Sequence, residues 1–137
     1  MASFNKFNSF VEALAEKVHN LGADTLTVAL CAAANAPVAT NTVLANLTQI
    51  SYTNLSARVI TTTSSAQTSG TYKLTLTDLV LTASGAVATF RYVVVYNDTA
   101  TNDELIGWYD YGSDVTLASG ETFTVDFDGS AGLLQLV

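Results

Sequence analysis

The stretch YNDTATNDELIGWYDYGSD, residues 96–114, holds five carboxylates, three tyrosines and a tryptophan, with no lysine or arginine among them. Such a set could do three kinds of chemistry. Converging carboxylates could bind calcium, two acids facing across a cleft could hydrolyse a glycosidic bond, and an open aromatic strip could stack on sugar rings. The spacing argues against each. NDTATNDELIG matches a calcium loop only loosely, lacking the glycine at the sharp turn and the closing glutamate. Asp98, Asp103 and Glu104 instead fall in a polar turn, where Asp and Asn side chains hydrogen-bond the local backbone. Asp110 and Asp114 end the strand that follows and its turn, so the acidic turn 97–104 is expected to be solvated rather than metal-binding.

The other acids read similarly. In ETFTVDFD, Thr122, Thr124, Asp126 and Asp128 share one face opposite Phe123, Val125 and Phe127, the pattern of a strand with a polar outer face. Ile106, Trp108 and Asp110 alternate with Gly107, Tyr109 and Tyr111, which points the aromatics to both sides of a strand and suits core or subunit-interface packing. His19, the only histidine, lies near a helix end, where a capping or surface role is expected. Cys31, the only cysteine, sits in the apolar run LTVALCAAA and reads as a small buried hydrophobe. There is no G-x-S-x-G, H-E-x-x-H or glycine-rich phosphate loop. The residues therefore nominate no catalytic group, metal ligand or cofactor, and a non-enzymatic protein is the expectation.

Composition narrows the partners. The 137 residues carry a formal charge of −7, only 12% are charged, and the five bases Lys6, Lys17, Arg58, Lys73 and Arg91 are scattered singly. Nucleic-acid binding needs clustered bases to neutralise phosphates, so it is not expected. No run has the length of a membrane span, and MASFNKFNSFVEAL lacks the pattern of a secretory signal, so function without export or membrane insertion is expected. A surface of hydroxyls and amides is common in β proteins that bury their outside against copies of themselves or a partner.

The elements that must position these groups follow from periodicity. Phe4, Phe7, Val11, Leu14 and Val18 recur at three and four residues, predicting an amphipathic helix that starts near Ser3 or Asn5 and stops at Gly22. After Asp24 the period becomes two: TLTVALCA reads as a strand, 33–43 as a loop, VLANLTQI as a short segment, and Ala57–Thr63 as a poorly determined strand in hydroxyl-rich surroundings. YKLTLTDLVLT slips phase at Asp78, suggesting a bulge or bend. AVATFRYVVVYN is apolar on both faces and should be central, SDVTLASGETFTVDFD should hold a strand pair around ASGE, and GLLQLV should be the last strand. The expectation is a single all-β domain over 1–137, a β-sandwich or jelly roll spanning 24–137 with one N-terminal α-helix within 1–22.

Two blocks, FNSFVEALAEKVHNLGADTLTVALCAAANAPVATNTVLANLTQIS and YNDTATNDELIGWYDYGSDVTLASGETFTVDFDGSAGLLQL, resemble small proteins from the virion-structural gene clusters of tailed bacteriophages. The middle, 57–95, carries no such resemblance. The resemblance implies a capsid decoration or cement protein, made in the host cytoplasm and seated on the virion's capsid surface. Its partner there would be the major capsid protein, and it would act as a homo-oligomer with a trimer favoured. A tail or head-to-tail component is the alternative within that resemblance. A carbohydrate-binding module using Trp108 and Tyr109 is the alternative outside it, with a glycosidase behind. The candidate interface residues are Phe4, Phe7, Phe10 and Val11 of the terminal helix, which could equally just cover the sandwich, with Trp108, Tyr109 and Tyr111.

Overall fold

The computed structural model describes residues 2–137 and is an all-β fold with one N-terminal helix. Ten strands and the helix follow in the order β1 (Phe4–Lys6), α1 (Asn8–Ala15), β2 (Leu26–Cys31), β3 (Val59–Ile60), β4 (Thr62–Thr68), β5 (Thr71–Leu76), β6 (Leu79–Thr82), β7 (Phe90–Asn97), β8 (Leu105–Val115), β9 (Thr122–Val125) and β10 (Leu134–Leu136). A five-stranded sheet has the order β1-β8-β7-β2-β3, and every pairing in it is antiparallel. A three-stranded sheet, β10-β5-β4, and the pair β6-β9 complete the strands.

The main core contains Leu26, Val28, Leu30, Val93, Val95 and Tyr109 from the large sheet, together with Leu74, Leu76, Leu81 and Val125 from the two smaller ones. The other face of the large sheet, with Ala29, Cys31, Tyr92, Val94, Tyr96 and Leu105, packs against Phe7, Leu44, Leu47 and Trp108. Strands β2 and β7 are thus covered on both sides, which is why VVV in β7 runs apolar and why β2, expected to be half-buried from its period of two, is buried at every residue, Thr27 included. The central position expected for β7 holds.

The helix departs from expectation at both ends. Phe4, Asn5 and Lys6 pair with Tyr109, Trp108 and Gly107, so the first turn of the expected helix is a strand. Phe7 is extended, at ψ 147°, and the helix begins after it. At the other end Lys17 takes φ 68°, Val18 N–H donates to Ala13 O at 2.9 Å and Lys17 N–H to Leu14 O at 3.3 Å. This is a Schellman close on a lysine, well before Gly22, at an αL cost of about 1–2 kcal/mol that the tertiary contacts offset. The spacing of Phe4 and Phe7 suits a helix, but pairing with β8 captures Phe4 first.

Three further expectations change. The strand expected over 57–63 is β3 and the start of β4, and β4 runs on through the polar stretch to Thr68, with a register shift between Thr62 and Ser64, before Ser69 and Gly70, both at positive φ as a tight hairpin turn requires, lead into β5. The phase slip at Asp78 marks the gap between β5 and β6, which lie in different sheets, and its carboxylate accepts Phe127 N–H at 2.9 Å. Around ASGE there is no local strand pair: β9 pairs with β6 across the chain, Leu79 opposite Val125 and Thr82 opposite Thr122. The last strand forms as expected and pairs with β5.

Strand β8 is irregular where β1 joins it. Its register with β7 shifts between Val95–Gly107 and Tyr96–Leu105, leaving Ile106 as an extra residue that turns into the main core beside Tyr109. This corrects the simple alternation in which Ile106 and Trp108 shared a face. Opposite Lys6, Gly107 lies beneath the Phe4 ring: a Cβ there would come within 2.2 Å of Phe4 Cζ and 2.5 Å of Asn5 O. Gly107→Ala is therefore expected to lift β1 and cost about 1–3 kcal/mol, while Gly129→Ala, which meets open space, should stay within about 0.5 kcal/mol. Urea denaturation of the two variants checks this; equal effects would remove the steric account.

Candidate interaction surface

The acidic and aromatic stretch divides as it folds. Asp98 accepts Thr27 Oγ1–H at 3.1 Å, Glu104 accepts Asn102 N–H at 3.3 Å, and Asp110 accepts Arg91 Nε–H and Gly112 N–H, each at 2.8 Å. The guanidinium and the Gly112 amide hold the Asp110 carboxyl below its usual range. Desolvation, helped by Asp98 and Glu104, raises that of Asp103. Among the described residues no three His, Cys, Asp or Glu side chains converge to hold a metal ion. The acids thus serve partly the local backbone, at Asn102 and Gly112, and partly neighbouring strands, at Thr27 and Arg91.

The aromatics are mostly packing groups. Tyr109 is buried between Phe4 and Phe127, with ring centroids at 5.3 and 6.1 Å, and Tyr111 stands edge-on to Phe123 at 4.9 Å. Burial pushes the Tyr111 hydroxyl up to about 12, and that of Tyr109 upward as well. Trp108 lies on the opposite face, 4.6 Å from the Phe7 ring, half-buried against Leu44 and Leu47. These rings form no shared open platform. Phe7, Phe10 and Tyr109 are core residues, and Phe4 and Tyr111 lie partly buried against that core. Of the candidate interface residues, Val11 alone is clearly exposed, at 52%.

His19 is not at the surface. It is 5% exposed, packs 5.3 Å from the Phe10 ring, and its Nδ1 lies 3.0 Å from Asn97 Nδ2. Asn97, fully buried at the end of β7, also donates to Asp24 Oδ2 at 2.7 Å, while its Oδ1 accepts the Thr99 and Ala100 amides. Those two amides fix which side-chain atom is nitrogen, so His19 Nδ1 must be the acceptor and its proton sits on Nε2, which has no partner. Sequence reading missed this cluster because an asparagine in NDT looks like any turn residue. The signal available was a polar residue ending a strand that is otherwise apolar on both faces.

Two predictions follow from the cluster. Asn97→Ala leaves His19 and the Thr99 and Ala100 amides without a partner, with Asp24 keeping only the Asn20 amide, and is expected to cost about 3 kcal/mol in urea denaturation. Desolvation lowers the His19 pKa below 6.5, against smaller opposing effects of Glu104 and Asp24. The unfolded chain then binds the extra proton first, so this contribution to stability is complete above pH 6.5 and is lost as pH falls from there through the lowered native value. Stability should drop between pH 8 and 5, and by less in His19→Gln; identical pH profiles would show that His19 is not responsible.

Cys31 is buried and desolvation pushes its thiol up to about 11, which leaves it unreactive. Arg58 lies 3.6 Å over the Tyr52 ring and donates to Val28 O, so this cation fastens the 49–60 segment to β2. Neither group is free for chemistry.

The remaining feature is a surface. Lys6, Phe10, Val11, Leu14 and Ala15 line one side of a groove of about 430 Å³ and Leu134–Leu136 the other. Leu14 and Leu136 continue into a second cleft that includes Lys17, Val18, His19 and Tyr72. Val11 and Leu136 are half exposed, and β10 is the outermost strand of its sheet. An apolar groove beside an open strand edge is suited to binding another chain. No helix among the described residues is long and apolar enough to cross a membrane. No protein-family model, curated protein or solved structure matches the chain.

Proposed function

We propose that this chain is a non-enzymatic structural protein of a tailed-phage virion, a decoration or cement protein that bridges neighbouring subunits of the capsid shell as a homo-oligomer. The observation that carries this reading is the apolar groove between α1 and β10, exposed beside a strand edge to whose outer side no strand of the described residues pairs. A protein that acts by buried area needs such a surface on a scaffold that does not deform, and β2 and β7, buried on both faces, supply the rigidity. Stable protein interfaces bury on the order of 1,600 Å² in total, and repetition over a shell multiplies the effect of weaker contacts. The resemblance of the two sequence blocks to phage virion proteins names the setting. Trp108, half-buried against Phe7, favours this reading over sugar stacking.

Cryo-EM of virions from a phage that encodes the chain tests the proposal. Density for this β domain is expected on the outer shell, repeated between capsomers. Density confined to the tail would make the chain a tail component, and absence from the particle would overturn the virion reading.

A further inference from the structure

Residues 18–24 lead from α1 into β2 with few attachments. Val18 N–H closes the helix on Ala13 O, and the Asn20, Ala23 and Asp24 amides bond within the segment. Among the described residues, its other hydrogen bonds are the two from Asn97 Nδ2, to His19 Nδ1 at 3.0 Å and to Asp24 Oδ2 at 2.7 Å. Leu21, 5% exposed, is the apolar anchor between them. The ladder of β2 and β7 runs from Leu26 opposite Asn97 to Cys31 opposite Tyr92 and does not use the segment.

The bond to His19 exists only for a neutral ring. Asn97 cannot turn its amide over, because its Oδ1 accepts the Thr99 and Ala100 amides and its nitrogen faces the Asp24 carboxylate. A proton on Nδ1 would therefore set N–H against N–H, and the proton on Nε2 has no acceptor to compensate. A closed segment would bury an imidazolium whose two donors are both unmatched.

The surrounding charges do not remove this conflict. Asp24, from the same segment, and Glu104, ahead of β8, favour the cation, while desolvation outweighs both and lowers the ring's pKa below 6.5. Lys17 lines the same cleft as His19 and disfavours a second positive charge there. From the other elements the ring meets Phe10 of α1 and Asn97 of β7, and β4 and β5 bring Ser65 and Tyr72 to the cleft, their hydroxyls 2.7 Å apart. Opening the segment would hydrate the ring and restore its ordinary proton affinity. Closure is thus fully favoured above pH 6.5 and loses ground as pH falls from there toward the lowered native value.

We propose that His19 is a proton-operated latch: in mild acid, protonation of Nδ1 breaks its bond to Asn97 and frees residues 18–24 while the sheet stays folded. Residues 18–22 and Asp24 line a cleft with Ser65, Tyr72 and Leu136, so the latch sets the shape of that cleft. The inference is independent of the virion reading.

Hydrogen–deuterium exchange of the full chain, corrected for the intrinsic effect of pH on exchange, tests the latch. Between pH 7.5 and 5.5 the opening of 18–24 is expected to rise about threefold to tenfold, while the amides of β7 keep their protection. In His19→Gln, whose side-chain oxygen accepts from Asn97 at any pH, the opening should not change. Because the chain has one histidine, nitrogen NMR of the labelled ring supplies a readout that needs no variant and decides the matter if His19→Gln does not fold. The neutral ring should carry its proton on Nε2, and its titration should coincide with the loss of protection. Unchanged opening in the native chain, an equal rise in His19→Gln, a rise shared equally by β7, or a neutral ring protonated on Nδ1 would overturn the proposal.

Discussion

Burial of β2 and β7 on both faces is the constraint on which the other elements depend. A strand apolar on one face needs one covering layer; these two need two. The three-stranded sheet and the β6-β9 pair supply one, and Phe7, Trp108 and the 44–47 turn supply the other. The role of the N-terminal segment follows. Phe7 must reach the outer face while Phe10 reaches the main core, and a residue in extended conformation followed at once by a helix sends them in different directions. The short β1 anchors that arrangement by pairing with β8.

The same constraint explains the polar cluster. Where β7 leaves the sheet, Asn97 is still between layers, and its backbone N–H is taken by Glu104 O at 3.0 Å. Its amide meets three separate segments: the 99–100 turn, His19 after the helix, and Asp24 before β2. One side chain thus ties the exit of the central strand to the entry of its neighbour. The unmatched His19 ring nitrogen is the cost set against the four bonds made.

How much of this was legible depended on how strongly each residue's fate was local. VVV in β7 announces itself because a continuous apolar run has few other uses, whereas LTVALC in β2 reads as a period-two, half-buried strand and the structure covers its second face as well. The β4 strand was indistinct because its face carries serine and threonine, so the period-two signal is absent and the Ser69-Gly70 turn is the only cue. The helix was overextended because Phe4 fits a helical stripe and a strand equally well, and pairing with residues about a hundred positions away decides the matter. Among the candidate interface residues, sequence could identify large apolar side chains but not which of them the chain itself would cover: Phe7, Phe10 and Tyr109 went inside and Val11 did not. The open β10 edge was not legible, since it is a property of what other segments leave unfilled.

The pairing of β1 with β8 also sets an order in time. A ribosome releases Phe4–Lys6 long before Gly107–Tyr109 exists, and at roughly 5–20 residues per second that interval is on the order of five to twenty seconds. Through it, the aromatic rings of Phe4 and Phe7 have neither of their eventual partners, Tyr109 and Trp108. The segment Phe4–Phe7 therefore lacks its aromatic partners for most of that interval, and it is docked only when the strand that completes the sheet emerges.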